Sequence, residues 1–352
     1  MKILFVMDKR VNAGSIHAVA NYVRAGDCFG HTIALYGRQD PGFPHLRLST
    51  DLEAFDHVVF VIESGLRWMS GLRLPRILFS VPRRRRAILD TDGMYNPLIA
   101  VDGYDRNHAS ERERLACLTH YHELADRIFQ PTFEPREPGV RALPFYGFDP
   151  GSICDPDAVP SKRFDLMHVG HNWWRWRELS TRLLPAIEKI RARVGDICFV
   201  GSWWNRPPLL DEDDHDLEVA FRINSDVFRR LGIQVRPAVS YTHVIPAMSE
   251  GQVNIMTQRP LLRHLKLLTS KYFEIFCADT IPLVMLDPDH AHSVYGPAGR
   301  ELALHDGIAC KLLEALNQPR KYREIVQEVR QYLIAHHSYR DRVRELVAAL
   351  ES

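Results

Sequence analysis

The amino-acid sequence predicts an α/β protein made of two Rossmann-like domains, each with a parallel sheet. Short apolar runs alternate with helical patterns along nearly the whole chain, which is typical of βαβ units. The length of 352 residues is too great for one ordinary core and suits two cores of about 150 to 180 residues. The alternation also restarts near residue 164. We therefore expect domains at 1–155 and 156–335, facing each other across a hinge.

The first domain is predicted from buried apolar runs and one helix-start signal. Strands are expected near residues 3–7, 32–36, 57–62, 76–81, 87–89 and 141–145. Helices are expected from about Ser15 and over 110–126. The second of these helices begins with Ser110 and Glu113, which have the spacing of a capping box.

The second domain repeats the same alternation after the segment 144–163. That segment holds four prolines and two glycines, which weaken regular structure and make it the best linker candidate. Strands are expected at 164–169, 197–200, 233–235, 253–256 and 281–286. Helices are expected at 175–193, 217–231, 244–249, 272–277 and 308–350, the last with a break near Pro319.

Charge and cysteine content exclude several classes of protein. Lysine and arginine total 45 against 44 acidic residues, so the chain is not a globally basic nucleic-acid coat, although a local basic cleft stays open. No stretch approaches the length of a membrane-spanning apolar helix. The six cysteines show no CxxC spacing, which argues against a zinc site. With scattered thiols and an initial apolar run too short for a signal peptide, we expect a cytoplasmic protein.

Glycine-rich phosphate loops are missing from the sequence. The dinucleotide pattern GxGxxG does not follow the first strand, where Gly14 stands alone, and the pattern GxxxxGK[ST] is absent throughout. Without these glycines a pyrophosphate cannot approach the backbone in the usual dinucleotide mode. The sequence therefore argues against a nicotinamide-dependent dehydrogenase and against a P-loop kinase.

Two strand ends in the second domain are candidates for binding an anionic ligand. Each runs into a glycine turn, where backbone amides and arginines suit a phosphate at the carboxyl edge of a sheet. The candidate residues are Gly170, His171, Asn172, Arg175 and Arg177 after the first strand, and Gly201 and Ser202 after the second. A plain surface helix start, whose tryptophans cover the hinge, is the alternative interpretation.

A third candidate segment lies at 268–286, where hydroxyl residues precede a helix that carries one carboxylate. Thr269, Ser270 and Lys271 stand at the helix start, where they can donate to phosphates. Glu274 lies one turn into the helix and can accept both hydroxyls of a ribose. On periodicity alone, a solvated helical charge is the simpler interpretation of Glu274.

The segment 268–286 resembles the donor-nucleotide region of GT-B glycosyltransferases. The match is carried by Lys271-Tyr272-Phe273-Glu274, then Cys277-Ala278-Asp279, leading into a strand; the family often has glycine where Asp279 stands. The segment His336–Leu346 is similar to the chain ends of the group-1-like, CgeB-type bacterial enzymes, and the whole is more distantly similar to phage DNA β-glucosyltransferases.

This resemblance implies a GT-B fold with a cleft between the domains and a final helix, 336–352, that packs back on the first domain. It implies that Glu274 holds the donor ribose and that Arg175 and Arg177 neutralise the diphosphate leaving group. The implied co-substrate is a nucleotide-diphosphate sugar, UDP-linked by preference, with no other cofactor and no metal.

The catalytic base is expected in the first domain. Asp92 and Asp90 end a predicted strand in the sequence Asp-Thr-Asp-Gly, and the phage enzymes carry their base at a similar place, so Asp92 is the favoured base with Asp90 as its buried support. A hydrogen-bonded turn is the alternative interpretation. His17, on the first helix, is a second candidate because many plant-type GT-B enzymes use a histidine.

The acceptor stays open at this stage. The run Arg83–Arg86 is read either as solvated charge or as attraction for an anionic acceptor, so a small molecule, a glycan and an anionic polymer all remain. The sequence thus predicts a metal-independent, inverting glycosyltransferase. A nucleotide-sugar epimerase, a phosphorylase and a non-catalytic two-lobed nucleotide or sugar sensor are the alternatives, and the oligomeric state is undetermined.

Overall fold

The computed structural model of the chain consists of two compact units. It describes residues 1–7, 13–63, 76–103, 105–155, 161–208 and 215–352. The first unit comprises residues 1–147, 264–270 and 337–352, and the second comprises residues 148–263 and 271–336. The second unit begins at Phe148, ahead of the predicted boundary at 156, a position outside the described residues. The amide of Cys154 donates to the carbonyl of Cys277 at 2.7 Å, which ties this early segment to the second unit.

The described part of the first unit contains a seven-stranded sheet in the order β3-β2-β1-β4-β5-β8-β9. The strands are β1 (Lys2–Val6), β2 (Thr32–Tyr36), β3 (Leu48–Ser49), β4 (His57–Ile62), β5 (Arg86–Asp90), β8 (Arg127–Gln130) and β9 (Val140–Ala142), and a small hairpin adds β6 (Ala100–Val101) and β7 (Asp105–Arg106). All pairings in the large sheet are parallel. The strand interiors are buried, as expected for a parallel sheet covered on both faces.

The described part of the second unit contains a five-stranded parallel sheet in the order β12-β11-β10-β13-β14. Its strands are β10 (Phe164–Val169), β11 (Ile197–Val200), β12 (Ile233–Arg236), β13 (Gly251–Met256) and β14 (Ile281–Val284). In both sheets the chain starts at a central strand, runs to one edge and then crosses to the other side. This order is that of a Rossmann fold, so the α/β class and the two parallel sheets are confirmed.

The described helices of both units are numbered together. They are α1 (Gly14–Asp27), α2 (Glu111–Leu124), α3 (Trp176–Glu178), α4 (Leu184–Ile190), α5 (His215–Ala220), α6 (Ser225–Leu231), α7 (Val244–Ser249), α8 (Pro260–His264), α9 (Lys271–Glu274), α10 (Pro288–Tyr295), α11 (Ile308–Asn317), α12 (Pro319–His336) and α13 (Tyr339–Glu351). None of them combines the length and the apolar character that crossing a bilayer requires.

The strand expected at 76–81 is wrong, because residues Arg76–Ser80 form a 3₁₀ helix. Strand β4 pairs with β1 and β5, and β5 pairs with β4 and β8, so the sheet has no free edge where this segment runs. Leu78 is instead buried in the core of the first unit. A short apolar run is therefore compatible with a buried turn as well as with a strand.

Two long helices predicted in the second unit are interrupted. Between α3 and α4 the residues Leu179–Leu183 form a π-helical turn, and Pro185 follows at once, where its missing N–H cannot complete the α-helical ladder. Helices α5 and α6 are separated because the carbonyls of Phe221 and Arg222 accept from the side chain of Asn172. The apolar periodicity of the sequence predicts neither of these two interruptions.

The C-terminal helix α13 packs against α1 within the first unit. Ser338 caps the helix, with a reciprocal bond between its backbone and the carboxylate of Asp341. Behind the cap, the ring of Tyr339 lies edge-on to Tyr22 at 5.8 Å, and the guanidinium of Arg342 is fully buried. The final helix is thus held by a cap, aromatic packing and a buried polar group.

The cap makes a stability prediction. Replacing Ser338 with alanine leaves the amide of Asp341 without its partner, so we expect the free energy of unfolding of the first unit to fall by about 1 kcal/mol. Ser293→Ala is the matched control, since that hydroxyl bonds within helix α10 to the carbonyl of His290 and caps nothing. Urea unfolding followed by circular dichroism measures both; equal midpoints would contradict the role of the cap.

Candidate functional site

The carboxyl edge of the second sheet is built around two glycine turns. The amide of Gly170 donates to the carbonyl of Val200 at 2.8 Å, and the amide of Gly201 donates to the carbonyl of Arg236 at 3.1 Å. A Cβ atom on Gly201 would lie 2.0 Å from the carbonyl oxygen of Gly170, and its φ is +154°. Only glycine allows this approach, so the turns after β10 and β11 touch through their backbones.

The loops that follow these turns are fastened to each other. The amide of Asn172 donates to the carbonyl of Ser202 at 3.0 Å, and the amide of Ser202 donates to Nδ1 of His171 at 3.0 Å. The side chain of Asn172 is fully buried and donates to the carbonyls of Trp203, Phe221 and Arg222. Asn172 and Ser202, which are predicted to bind the donor nucleotide sugar, thus make hydrogen bonds that shape the loops.

Two tryptophans in these loops have strained backbones. Trp174 has a φ of +58° and Trp203 has a φ of +66°, a left-handed conformation that bulky residues rarely adopt. The strain is held by bonds on either side: the Trp174 amide donates to the carbonyl of Ala220 at 2.7 Å, and the indole of Trp204 donates to the carbonyl of Gly170 at 2.6 Å. Such strain persists only where the surroundings impose it.

Positively charged side chains converge at this edge. The guanidinium of Arg175 donates to the carbonyl of His171 at 2.6 Å, and the ammonium of Lys271 donates to the carbonyl of Val169 at 3.0 Å. Burial, and then the charge of Arg259, lowers the pKa of Arg175 to about 10. Burial lowers the pKa of Lys271 too; Glu274 opposes this shift and Arg175 adds to it.

His171 shares the same positive environment. Partial loss of solvent around its ring, followed by the charges of Lys271 and Arg175, lowers its pKa to about 4, although part of the ring reaches the surface. The ring is therefore neutral at pH 7 and accepts the Ser202 amide at Nδ1. A neutral histidine beside two cations avoids a third positive charge at this edge.

Arg259 belongs to the cluster but was not predicted. It follows the carboxyl end of β13, and its guanidinium lies over the ring of Trp174, 5.4 Å from the ring centre. The signal that could have found it is the rule already applied to β10 and β11: polar residues after a buried strand face the carboxyl edge of the sheet. Gln258 and Arg259 follow β13 in this way.

Two more polar side chains near Lys271 are also absent from the sequence-based predictions. Asn254 and Thr257 line a small pocket together with Val169 and Lys271. In the described part of the chain, the amide oxygen of Asn254 and the hydroxyl of Thr257 are buried without a hydrogen-bond partner. Both atoms therefore lie at this edge as buried polar groups that the described residues do not satisfy.

Two other charged residues of the loop after β10 have different surroundings. Arg177 is exposed on α3. Glu178 is buried and pairs with Arg182 at 3.1 Å and with Arg263. Glu178 is thus paired with two arginines that lie outside the cationic cluster. Of Arg175 and Arg177, only Arg175 joins that cluster.

Glu274 lies beside the cations and has a defined orientation. It ends α9, with Tyr272 and Phe273 buried, so Lys271 and Glu274 share the other face at a spacing of three residues. The hydroxyl of Tyr241 donates to Oε1 of Glu274 at 2.7 Å. Thr269 and Ser270, predicted to act with Glu274, belong to the first unit.

Asp90 is the last residue of β5 in the first unit, and Asp92 lies two residues further along the chain. Asp90 is fully buried and accepts from the amides of Met94 and Tyr95, the hydroxyl of Tyr121 and the side chain of Gln130. Burial raises the pKa of Asp90, while the hydrogen bonds from Tyr95, Gln130 and Met94 hold the shift back. The result is a turn fixed from within by a buried carboxylate.

Asp92 is half-buried in that turn, between two immobilised neighbours. Thr91 donates to the carbonyl of Ile62 through both its amide and its hydroxyl, and Gly93 has a φ of +75°. A Cβ atom on Gly93 would lie 2.4 Å from Leu265. The backbone around Asp92 is therefore rigid, which suits a residue that must present a carboxylate.

The other predicted features of the first unit are less concentrated. His17, on α1, stacks on His45 with ring centres 6.0 Å apart.

The arginines of the basic run 83–86 make contacts within the first unit. Arg83 pairs with Asp126, and Arg85 donates to the carbonyls of Phe55 and Asp56. Buried Arg86 donates to the carbonyl of Glu123. Much of this charge thus serves internal contacts. Among the described residues, no cluster of histidine, cysteine and acidic side chains has the form of a metal site.

Known structures share this architecture over the full chain. The β-glucosyltransferase of phage T4, in complex with UDP-glucose, matches with a TM-score of 0.58 at 11% identity, covering 100% of both chains. The sucrose-phosphate synthase of Thermosynechococcus elongatus matches with a TM-score of 0.63 at 12% identity, covering 99% of this chain and 98% of that one. The chain has the GT-B fold. A glycosyltransferase from Rickettsia africae shares this GT-B fold, with a TM-score of 0.57 at 10% identity over 99% of this chain and 97% of its own.

Sequence comparison adds nothing to this assignment. No protein-family model matches the chain, and no curated protein matches it. Identities of 10–12% establish the GT-B fold and leave activity to be argued from the site itself.

The contact between the two glycine turns makes a second stability prediction. Gly201→Ala forces a Cβ atom against the carbonyl of Gly170, so we expect the second unit to lose about 3 kcal/mol of unfolding free energy. Gly307→Ala, in the same unit, is the control: its φ is +58° with open space around it, and it should cost about 1–2 kcal/mol. Denaturant titration compares the two, and a Gly201 variant no worse than the control would contradict the close approach.

Proposed function

We propose that this protein is a glycosyltransferase that takes a sugar from a nucleotide-diphosphate donor bound at the carboxyl edge of the second sheet. The observation that supports this proposal is the cluster of Arg175, Arg259 and Lys271, in which the charge of Arg259 lowers the pKa of Arg175 and the charge of Arg175 lowers the pKa of Lys271. Like charges held together in a partly buried place destabilise the free protein. A polyanionic ligand reverses that cost, and a diphosphate carries the matching charge.

The cations also explain how the reaction would proceed without a metal. Breaking the bond between the anomeric carbon and the diphosphate leaves its electron pair on the departing nucleoside diphosphate and adds one negative charge to it, and fixed cations stabilise that charge as it develops. Arg175 offers a planar fork of donors, and its Nε is buried with no partner among the described residues. Lys271 adds a compact charge at the end of β10.

Glu274 would accept the ribose hydroxyls of the donor. It lies three residues from Lys271 on the same helix, which places a hydrogen-bond acceptor next to the diphosphate site. UDP is the favoured nucleotide: the T4 β-glucosyltransferase of the same fold has been solved with UDP-glucose, and an α-glucosyltransferase of the same fold has been solved with UDP. The sugar and the acceptor are not specified by these residues.

Asp92 is our choice for the catalytic base. It would take the proton of the acceptor hydroxyl while that oxygen attacks the anomeric carbon and the bond to the diphosphate breaks, a single displacement that inverts the configuration. Asp90 and Thr91 support the choice, because their hydrogen bonds fix the turn that presents Asp92.

Removing the ribose acceptor should weaken nucleotide binding. We expect Glu274→Ala to raise the Kd for UDP about 10- to 100-fold, on the scale of hydrogen bonds to a charged group. Isothermal titration calorimetry with UDP, GDP, ADP and TDP measures both the loss and the base preference. Glu328→Ala, at an exposed position on α12, is the control and should bind UDP as the wild type does. An unchanged Kd in Glu274→Ala would remove the ribose assignment.

Removing the base should separate binding from turnover. We expect Asp92→Asn to bind UDP normally but to lower kcat at least about a hundredfold, in the usual range for a positioned base. The readout is UDP release from a UDP-sugar with a panel of acceptors. Asp102→Asn is the control, because that residue is exposed and has a φ of +53°, which asparagine tolerates.

The same assay discriminates between the alternatives. A wild-type rate in Asp92→Asn would reject Asp92 as the base. UDP binding without consumption of any UDP-sugar would favour a sensor, and conversion of the donor in the absence of an acceptor would favour an epimerase.

A further inference from the structure

Tyr241 contacts the carboxylate on which the proposed donor site depends. It begins the 3₁₀ turn Tyr241–His243, which follows the carboxyl end of β12 and leads into α7. Its hydroxyl donates to Oε1 of Glu274 at 2.7 Å, across 33 residues of sequence, and both side chains are half-buried. Two separate loops of the same sheet edge therefore meet at this carboxylate.

The bond restricts how Glu274 can present its oxygens. A glutamate has three side-chain torsions, and ordering them costs free energy that a ligand must otherwise supply. A hydroxyl donating to a carboxylate makes a short, strong hydrogen bond. It occupies one lone pair of Oε1 and leaves the others, so the carboxylate is oriented and keeps its capacity to accept two ligand hydroxyls.

The fold does not need this bond for its own stability. Helix α7, which follows the turn, is anchored by buried Ala247, Met248 and Ser249. The Ser249 hydroxyl accepts from the amide of Asp279 at 3.0 Å, and Ser240 bonds His243 at 2.7 Å within the turn. The hydroxyl of Tyr241 can therefore be removed while its segment stays in place.

We propose that Tyr241 is a positioning residue that orients Glu274 and thereby makes the donor site select ribonucleotides over 2′-deoxyribonucleotides. The inference rests on the proposed function, since it assigns a second residue to the same donor site. A carboxylate held in one orientation accepts from both ribose hydroxyls, whereas one free to rotate gains less from the 2′-hydroxyl. Selectivity for ribose thus depends on a tyrosine that need not touch the nucleotide.

The test compares the affinities for UDP and for 2′-deoxy-UDP by calorimetry. For the wild type we expect UDP to bind at least about tenfold more tightly, and for Tyr241→Phe we expect this ratio to fall about fivefold, on the scale of one hydrogen bond. Glu274→Asp withdraws the carboxylate from Tyr241 without removing its charge, and should lower the ratio in the same way. Tyr295→Phe is the matched control: its buried hydroxyl has no partner among the described residues, so its ratio should equal that of the wild type and its Tm should not fall.

The outcomes separate this inference from the proposed function. A lower ratio in Tyr241→Phe, with Tm unchanged, supports the positioning role. A ratio equal to that of the wild type, while Glu274→Ala still weakens UDP binding, would overturn the role of Tyr241 and leave the donor site intact. Equal weakening of both nucleotides would show a merely structural tyrosine and also overturn it. If Glu274→Ala binds UDP normally, the ribose site itself is wrong.

Discussion

The concentration of positive charge at the carboxyl edge of the second sheet is the constraint on which the candidate site depends. Burial is the first cause that lowers the pKa values of Arg175 and Lys271; the charge of Arg259 adds to the shift of Arg175, and the charge of Arg175 adds to the shift of Lys271. The buried carboxylate of Glu178 pairs with Arg182 and Arg263, whereas Glu274 opposes the lowering of the Lys271 pKa and so offsets part of this charge. A cluster of this kind favours the binding of an anion, which is the electrostatic basis of the donor binding and leaving-group stabilisation that we propose.

Backbone geometry keeps these charges in place. The contact between Gly170 and Gly201 brings the two loops together, and the buried amide of Asn172 joins them to the segment after α5. The left-handed tryptophans show that the surrounding bonds outweigh local preference. Energy spent on loop shape in the free protein is energy that a ligand does not have to supply, and this is the usual advantage of a preorganised site.

In the first unit, hydrogen bonds to a buried carboxylate likewise fix the backbone around a candidate residue. Asp90 accepts four hydrogen bonds and fixes the turn that follows β5, so that Asp92 has a rigid backbone. One aspartate thus serves structure, while Asp92, two residues later, is the residue that we propose as the base. In the second unit, the hydroxyl of Tyr241 supports the carboxylate of Glu274 in a similar way, by a hydrogen bond to Oε1.

By itself, the sequence determined the α/β class, the two parallel sheets and the strand ends that hold candidate ligand-binding residues. Buried strands appear as local apolar runs, and the end of each run marks the carboxyl end of its strand. It also pointed to Asp90 as a buried support, to the glycine turn at Gly201, and to Lys271 and Glu274 as donor-binding candidates on one helix. Only the tertiary structure decided that Asn172 and Ser202 fasten loops, that Arg259 and Tyr241 join the site, and that 76–81 is no strand. These features arise from contacts between segments far apart in the chain, and no local pattern of residues encodes which distant carbonyl, ring or carboxylate a side chain will meet.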